Sequence, residues 1–562
     1  MERLLNARRS WSGAMTTAHV SAALLDGPPP TESELLAGLT YVLQRHPLLA
    51  ARVVGKSKFH LPDAKPYPMH SDYIGRAFAY NSELMKVEPD DDIQRFEPSP
   101  LSAADLARRA LTVESVEGSD VAALEAAWQG GFAEGLDGLV VDEDGEGPLW
   151  RLTLYTLQGS DRSALVYAAN HAISDQLSFN LVLSEILAAC ASLRAGAKVA
   201  TPEALPLPPS VEGALLGREQ RQAEEIKQRL ELIIGAFGEP WGPEVGGRKW
   251  LPSWEPGRVR LSTIRYALWQ MAASGMKVLP RWVPAAETVA QEEDKWQHMS
   301  RSTRSLFRTI GEAETSALVK ACRAKGVTAS GALCAAAVMG ASDAMGTADD
   351  PDDPKPTQRY KLLQALDMRT LNFEEGGSDA PGARDDWSGG TVLAGTGSLD
   401  ILVDLTPKAG QAARSPGGRD AFWKCASECN GQTKAWIASG WGRDSLLLFS
   451  SGWEFMNMNR VVELGSQDRA TLGRAYSAGV SNVGVYAHEA THGDLSISRL
   501  HFGISQTVSA PAISVSAVTV GGSLCLTVQY AAPIWPDDEA EAYADNLVTM
   551  LEMAAAEAMT TA

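Results

Sequence analysis

The sequence predicts an α/β protein organised in two domains. At 562 residues the chain is too long for one hydrophobic core, because single domains rarely exceed roughly 250–300 residues. Hydrophobic residues make up 45% and charged residues 21%, which is typical of a folded globular protein. Short apolar runs alternate with helical periodicity in both halves. We predict one domain over residues 1–215, a linker or helical segment over 216–300, and a second domain over 301–562.

The first domain begins with clear helix signals. Thr and Ser at residues 31–34 are typical of a helix N-cap. Apolar residues then follow on one helical face: Leu35, Leu36, Leu39, Val42 and Leu43. Pro47 breaks this pattern, so the helix should end near residue 45 and a strand should follow. Near the end of the domain, the proline-rich residues 205–210 form a stiff segment and the best linker candidate.

The connection at residues 169–177 carries the strongest functional signal. The apolar run 164–169 predicts a buried strand, and a helix is predicted downstream by Leu177, Leu181, Leu183, Ile186 and Leu187. His171 and Asp175 lie between the two, where a rigid scaffold typically presents reactive groups. Histidine is the commonest general base near neutral pH, and the Asp could bond the imidazole or brace the turn through another partner. The alternative is a structural histidine at a strand end, bonded to the backbone.

The second domain repeats the alternation of strands and helices. A strand is predicted at 306–310, helices at 314–325 and 332–345, and a final helix at 537–555. Four further strands are predicted at 478–486, 495–502, 512–520 and 523–530. Three segments rich in Gly, Pro and Asp, at 346–357, 374–390 and 407–420, are predicted to be surface loops.

The charge balance restricts the partners. With 50 Lys and Arg against 69 Asp and Glu, the net charge is −19, which argues against a nucleic-acid-binding surface. The six cysteines are scattered through apolar segments, so we expect reduced, buried thiols. The N-terminus lacks an apolar signal core, and no apolar run approaches the about 20 residues of a transmembrane helix. We expect a cytoplasmic monomer without a transmembrane segment.

A basic, tryptophan-bearing stretch at residues 258–284 leaves two interpretations open. Such a stretch is compatible with peripheral membrane contact. It is more often a helix packed across a domain boundary, and we favour that interpretation.

A second histidine pattern, at residues 488–492, matches the H-E-x-x-H motif of zinc proteases. That chemistry needs both histidines one helical turn apart, so that they converge on one metal ion. Here His488 and His492 lie between two predicted strands, and Gly493 and Asp494 follow at once. We therefore interpret the pattern as a chance match in a loop, with a zinc hydrolase as the less favoured alternative and no metal site expected.

Several motifs recur in an order typical of one enzyme superfamily. In the first half they are Leu43-Gln44-Arg45-His46-Pro47-Leu48-Leu49, Gly147-Pro148-Leu149-Trp150-Arg151 and Asn170-His171-Ala172-Ile173-Ser174-Asp175. In the second half they are Gly326-Val327-Thr328, Leu366-Asp367-Met368-Arg369, Ala421-Phe422-Trp423 and Ser481-Asn482-Val483-Gly484. The chain resembles the superfamily of chloramphenicol acetyltransferase, the BAHD enzymes and peptide-synthetase condensation domains. Within it, the resemblance is strongest to stand-alone alcohol acetyltransferase-like and condensation-like proteins.

The resemblance implies two similar chloramphenicol-acetyltransferase-like lobes, each a mixed sheet flanked by helices, with a tunnel between them. Acyl-CoA, or an acylated carrier protein, would enter from one face, and a small alcohol or amine from the other. His171 would act as general base without a covalent acyl-enzyme, and acyl-CoA would be a co-substrate rather than a tightly bound cofactor. Asp175 would be structural and pair with an arginine, for which Arg369 is the candidate.

The resemblance also implies that a residue of the site stabilises the oxyanion of the reaction intermediate. A thioester forms a tetrahedral intermediate, and Ser481 or Asn482 could donate a hydrogen bond to it. The alternative is that these residues only begin a strand through turn chemistry.

Two positions depart from the superfamily pattern. Asn170 stands where condensation domains usually carry a second histidine, which favours an alcohol acetyltransferase-like protein. Gln176 stands where a glycine is common, and glycine provides backbone freedom, so Gln176 implies a tighter turn or a reshaped tunnel floor. These departures leave a second hypothesis open, a catalytically inactive, condensation-like binding or scaffold protein. His19 could face the tunnel or belong to the core.

Overall fold

Two mixed sheets of six strands each form the framework of the protein. The computed structural model describes residues 17–54, 95–117, 120–138, 145–208, 244–245, 248–249, 278, 280, 302–346, 357–370, 390–438, 471–472, 474–507 and 510–560. Helices flank both sheets. We call the first sheet with its helices the N-terminal lobe and the second sheet with its helices the C-terminal lobe.

Within its described residues, the first half of the chain contributes six strands of more than two residues and four helices. The strands are β1 (Ala18–Asp26), β2 (Ala51–Val54), β3 (Arg95–Pro98), β4 (Leu111–Val116), β5 (Trp150–Leu157) and β6 (Arg162–Asn170). The helices are α1 (Glu32–Arg45), α2 (Ala103–Ala110), α3 (Val121–Asp137) and α4 (Gln176–Arg194). Two short strands follow, β7 (Glu244–Val245) and β8 (Arg248–Lys249). The predicted start of α1 is confirmed, because Thr31 and Glu34 form a capping box there.

The second half contributes eight strands and five helices among the described residues. The strands are β9 (Ser302–Ile310), β10 (Gln358–Asp367), β11 (Thr396–Leu405), β12 (Ala478–Val485), β13 (Thr491–His492), β14 (Leu495–Ile504), β15 (Ile513–Val520) and β16 (Ser523–Ala532). The helices are α5 (Glu312–Ala324), α6 (Ala329–Met345), α7 (Ala409–Arg414), α8 (Arg419–Ala438) and α9 (Asp537–Thr560).

The loop predicted at residues 407–420 is wrong. The segment forms α7 and the first turn of α8. The helix α7 begins directly after a turn, because Lys408 adopts a left-handed conformation as its N-cap. Ala409 and Ala413 are buried in the core of the C-terminal lobe. The other two predicted loops, 346–357 and 374–390, lie almost entirely outside the described residues.

The first sheet has the strand order β13-β14-β1-β6-β5-β4. β1 lies antiparallel between β14 and β6, with His19 opposite Ile504 on one side and Ala169 on the other. We assigned all of residues 301–562 to the second domain, but β13 and β14 complete the first sheet. Alternating burial shows that a strand has one buried face, but it does not specify the strand with which it pairs.

The two faces of the first sheet bury different cores. Side chains alternate along a strand, so Ala23 and Leu25 of β1 pack with α1 and α4, while Val20 and Ala22 pack with α3. His19 has the parity of Ala23 and therefore lies on the α4 face. α4 is long and apolar enough to cross a membrane, but 61% of its apolar stretch is buried inside the protein, which is typical of a core helix. α5 and α6 pass the same test only as one span, and they are bent by 99°.

The second sheet has the order β11-β10-β12-β15-β16-β9. It packs against α5, α6 and α9, and α6 is apolar and buried on nearly all sides, as expected of a central helix. All six cysteines are unpaired and buried, which confirms that prediction. Of the predicted boundary regions, residues 205–208 have no regular secondary structure, and 258–284 lie outside the described residues except 278 and 280.

Two of the contacts between the lobes are formed by apolar side chains. Phe307 of β9 packs on Trp128 and Phe132 of α3, with ring centroids 4.6 and 5.1 Å apart. The segment 390–395, before β11, carries Val392 and Leu393 into the core of the N-terminal lobe. The second contact covers the end of β6 and the start of α4.

Candidate active site

The turn between β6 and α4, residues 170–175, is built by its own side chains. Asn170 Oδ1 accepts a hydrogen bond from the Ala172 backbone N–H at 3.0 Å, and Ile173 N–H donates to the Asn170 carbonyl at 3.1 Å. Asp175 is the N-cap of α4, because its Oδ1 accepts from the Ser178 N–H at 3.0 Å. Asn and Asp favour such caps and turns because their short side chains reach nearby backbone groups. Asn170 therefore shapes the turn.

His171 is held in one tautomer. Its Nδ1 lies 2.9 Å from the backbone carbonyl oxygen of Ser174, and a carbonyl only accepts, so Nδ1 carries the proton. Nε2 then has a free lone pair, and it has no hydrogen-bond partner among the described residues. The residue is buried, with 5% of its surface exposed. Burial lowers the pKa of His171, and the nearby Asp175 carboxylate only partly offsets this. The imidazole is therefore neutral at neutral pH.

Asp175 makes a two-pronged ion pair with Arg369, the residue that we expected. Arg369 Nη1 donates to Asp175 Oδ2 at 2.8 Å, and Nη2 donates to Oδ1 at 2.9 Å. Burial alone would raise the pKa of the Asp175 carboxyl, but the Arg369 guanidinium outweighs it, so the pKa lies well below its usual range. The carboxylate is therefore ionised and occupied on both oxygens. It orients the turn and does not reach the imidazole through a hydrogen bond.

The segment 390–396 supplies further donors to the same carboxylate. Gly395 N–H and Thr396 Oγ1 both donate to Asp175 Oδ2, at 2.9 and 3.2 Å. A Cβ on Gly395 would lie 2.5 Å from Arg369 Nη1, so a larger residue would displace the guanidinium from this position. Ser178 Oγ donates to the Leu393 carbonyl at 2.7 Å and accepts from Arg369 Nη2 at 3.1 Å. A buried ion pair is favourable only when its remaining donors and acceptors are satisfied, and here they are.

Sequence reasoning did not identify Ser178, Gly395 or Thr396. The cluster of glycines between residues 389 and 397 was a usable signal, since a glycine often marks a close backbone approach. Nothing in the sequence pairs that segment with Asp175, because the contact spans 220 residues.

Gln176 does not tighten the turn as one interpretation expected. It is the first residue of α4, a position that needs no left-handed backbone, and its side chain points into the protein. Its amide oxygen lies 3.0 Å from Nε2 of His19 and 2.6 Å from Oγ of Ser21. Its amide nitrogen donates to Asn180 Oδ1 at 2.7 Å. Gln176 therefore fills space beside the turn and connects it to β1.

The two oxyanion candidates lie on β12 in the second sheet. Asn482 Nδ2 donates to Ser330 Oγ at 3.0 Å, and Asn482 Oδ1 accepts from the Gly484 N–H at 3.0 Å. Ser481 lies opposite Ser516 of β15. Among the described residues no hydrogen bond joins either candidate to the turn at 170–175. Their oxyanion role stays a prediction.

The H-E-x-x-H pattern is not a helix. His488 lies in a loop, and His492 lies in the short strand β13, which pairs with β14. His492 Nε2 donates to the backbone carbonyl of Glu489 at 2.9 Å, so this nitrogen is already occupied. The two imidazoles are not one helical turn apart, which contradicts the zinc-hydrolase alternative. Over the described part of the chain, no group of three His, Cys, Asp or Glu residues could hold a metal ion.

Comparisons with known proteins show the fold. Neither family models nor curated proteins gave a match to the sequence. The structure is similar to that of trichothecene 15-O-acetyltransferase from Fusarium sporotrichioides, with a TM-score of 0.61 and 12% identity over 98% of this chain and 94% of that chain. It is also similar to the epimerization domain from the third module of tyrocidine synthetase B, with a TM-score of 0.53 and 12% identity over 96% of this chain and 92% of that chain.

A third solved structure agrees with these two. The condensation domain from Monacolin K polyketide synthase has a TM-score of 0.52 and 10% identity over 99% of this chain and 95% of that chain. The fold is thus the two-lobed fold that this acetyltransferase, this epimerization domain and this condensation domain share. This confirms the fold class implied by the resemblance.

Proposed function

We propose that the protein is an acyltransferase that moves an acyl group from acyl-CoA to a hydroxyl or amine acceptor, with His171 as the general base. The observation that carries this proposal is the free Nε2 lone pair of a neutral histidine whose Nδ1 proton is fixed on the Ser174 carbonyl. A general base must be neutral, oriented and unoccupied at the nitrogen that takes the proton. His171 meets all three conditions.

The reaction needs no covalent acyl-enzyme. Nε2 of His171 takes the proton of the acceptor O–H or N–H while the acceptor oxygen or nitrogen attacks the thioester carbonyl carbon. The tetrahedral intermediate collapses, the C–S bond breaks, and the departing thiolate takes the proton back from Nε2. The imidazole returns to its neutral form, and the products are the ester or amide and free thiol. A positioned base contributes about 10² to 10⁴ in rate.

Asp175 and Arg369 have a bracing role in this mechanism. Both oxygens of the carboxylate are bound to donors from three segments, so the carboxylate is not free to receive a proton. The ion pair holds the start of α4, and thus the turn that carries His171, against the C-terminal lobe. Losing the brace should misplace His171, and displacements of about 1 Å can cost about 10²-fold in rate.

Two observations support an alcohol over an amine as acceptor. Asn170 replaces the second histidine that condensation domains usually carry, and its side chain is used in shaping the turn. The Fusarium protein of the same fold acts, by its name, as an O-acetyltransferase. For the donor, free acyl-CoA and an acylated carrier protein present the same thioester carbonyl, and we propose acyl-CoA.

The test is a panel of acyl-CoA thioesters against alcohols and amines, followed by thiol release. All six cysteines of the protein are buried, so a thiol reagent should give a low background. We expect wild-type turnover with at least one acceptor and a loss of about 10² to 10⁴ in kcat/KM for His171→Ala. His492→Ala, which truncates a histidine of the β13 strand, is the matched control and should retain activity.

The alternative outcomes are distinct. Unchanged turnover in His171→Ala would show that the proposed base is wrong. Acyl-CoA binding without thiol release, across the whole acceptor panel, would favour the inactive scaffold protein instead.

A further inference from the structure

A second histidine lies beside His171 on the same face of the first sheet. The ring centroids of His19 and His171 are 5.7 Å apart, and the ring planes are inclined by 41°. His19 is 1% exposed and pairs across β1 and β6 with Ala169, two residues before His171. The proposed mechanism uses no atom of His19. Its contact with the catalytic imidazole therefore needs an explanation of its own.

Gln176 fixes the tautomer of His19. The Gln176 amide nitrogen donates to Asn180 Oδ1, so its oxygen faces β1 and receives Ser21 Oγ at 2.6 Å and His19 Nε2 at 3.0 Å. An amide oxygen only accepts, so Nε2 of His19 carries the proton. Nδ1 is then a bare acceptor, buried and without a hydrogen bond in the described structure.

A bare buried acceptor lowers the stability of the folded state. An apolar side chain of similar size would avoid this cost, because Ser21 would still donate to Gln176. Positions where local stability is sacrificed are often functional. Burial, and then the neighbouring His171, lower the pKa of His19 to about 3, so the ring stays uncharged when His171 holds a proton.

The groups around His171 limit what else could shield it. Among the described residues, Asp175 at the N-cap of α4 is the charged group that acts on the His171 imidazole, and its carboxylate is paired with Arg369. Tyr167 of β6 is buried and lies with its ring centroid 6.3 Å from that of His19. His19 is thus the uncharged polar ring of β1 that lies beside the His171 imidazole.

We propose that His19, held by Gln176, is a positioning residue of this site, whose uncharged ring excludes water from the sheet side of His171 and keeps the catalytic imidazole in place. This inference rests on the proposed function for its catalytic meaning. The shielding of the His171 imidazole by the His19 ring does not depend on activity, so it can be measured without a substrate.

The test compares two buried histidines on opposite faces of one sheet. His501 of β14 is also 1% exposed, but it stacks on Trp128 with centroids 5.9 Å apart, on the α3 face. His19→Ala and His501→Ala therefore create similar cavities, of which only the first adjoins His171. In protein labelled with ¹³C at histidine Cε1, NMR titration gives the pKa of His171, assigned by the signal lost in His171→Gln.

We expect His19→Ala to admit water and raise the pKa of His171 toward its ordinary value of 6.5, while His501→Ala leaves it unchanged. His19→Phe, which keeps a ring there, should retain the low pKa of His171 and an unchanged or higher Tm. Gln176→Leu should release the His19 tautomer, visible in the ¹⁵N shifts of that ring. In turnover, His19→Ala should lower kcat about tenfold with KM little changed.

Three results would overturn the inference. One is a His171 pKa that stays at the wild-type value in His19→Ala. Another is an equal pKa shift in His501→Ala, which would indicate a general loosening of the sheet. The last is a large fall in Tm for His19→Phe, which would make His19 a core residue. If wild-type protein shows no acyl transfer at all, the proposed function fails, while the titration still decides the role of His19.

Discussion

The turn at 170–175 and the hairpin at 488–496 make an instructive pair. Each has a histidine and an aspartate that pairs with an arginine. In the turn, Asp175 binds Arg369 across 194 residues, and both side chains are buried. In the hairpin, Asp494 binds Arg194 at 2.7 Å, but 52% of the Asp494 side chain is exposed. The motif alone does not distinguish a site from a surface loop; the elements that converge on it do.

The sharpest difference should appear when each aspartate loses its charge. Asp175→Asn removes the buried counter-ion of Arg369 and leaves it only the part-exposed Asp367, at 3.2 Å. Breaking a buried pair costs about 3–5 kcal/mol. Asp494→Asn breaks an exposed pair, for which about 0–1 kcal/mol is expected. Urea unfolding measures both free energies. Similar values for the two variants would contradict the proposed distinction between turn and hairpin.

A double variant refines this result. Asp175→Asn with Arg369→Met removes the buried cation together with its buried counter-ion, so it should unfold at higher urea than Asp175→Asn alone. Its acyl-transfer activity should remain as low as that of the single variant, because the brace is still absent. Recovery of activity along with stability would argue against a bracing role.

Ser178→Ala should have an intermediate effect. Ser178 Oγ bonds both backbone groups of Leu393 and receives Arg369 Nη2. Removing it leaves the buried Leu393 N–H unpaired, which costs about 1–3 kcal/mol. Thermal unfolding gives the loss, with Ser498→Ala of β14, which makes one hydrogen bond to the Leu24 carbonyl, as the milder control. Equal losses would show that the 390–396 segment does not stabilise the turn.

The pH dependence should separate the buried imidazoles from the hairpin. His19 and His501 have a folded-state pKa of about 3, chiefly because they are buried, whereas an unfolded histidine titrates near 6.5. As pH falls from 6.5 toward 3, the unfolded chain binds protons that the folded chain does not, so stability decreases. Each residue should remove about 1.4 kcal/mol per pH unit within this window.

Urea unfolding at pH 7 and pH 5 measures this loss. His501→Phe should make the loss of unfolding free energy between pH 7 and pH 5 smaller, by about the contribution of one buried histidine. His488→Phe in the hairpin loop should change that loss little, because His488 is only half buried. The pH dependence of activity follows from the protonation state of His171. A general base must be neutral, so kcat/KM should be constant near neutral pH and decrease below the lowered pKa of His171. A decrease that begins above pH 7 would contradict the role of His171 as general base.

The smallest effects belong to the histidines of the H-E-x-x-H pattern. His488→Ala and His492→Ala should each change the free energy of unfolding by less than about 1 kcal/mol. Their activity should equal that of the wild type, and zinc chelators should have no effect on any of the three proteins. Loss of activity in either variant, restored by zinc, would restore the hydrolase interpretation.

Local signals in the sequence predicted much of this structure. The capping box of α1, the strand-turn-helix around His171 and the long helix α9 follow from periodicity and caps, which depend on neighbouring residues. Arg369 was found because it belongs to a motif of the superfamily, and no local rule connects it to Asp175. The resemblance therefore supplied a long-range contact that pattern alone does not contain.

The features that escaped prediction are non-local. β14 joins the first sheet although its burial pattern suits either sheet. Gly395 was hidden in a segment of turn-forming residues, and its role follows only from the close approach of Arg369. His19 had two interpretations because a buried histidine in a strand has no sequence signature. Its neighbour in space, Gln176, lies 157 positions away.

The insertion of β14 beside β1 affects how the chain can be made and divided. A ribosome releases β1 and β6 long before residue 504, so one edge of the first sheet lacks its partner until most of the protein has been synthesised. An unpaired strand edge is a site of aggregation. A fragment that ends at the apparent domain boundary near residue 300 would carry His171 but expose that edge permanently. A truncated form of the protein should therefore retain the strand at 495–504, for instance as a tethered peptide.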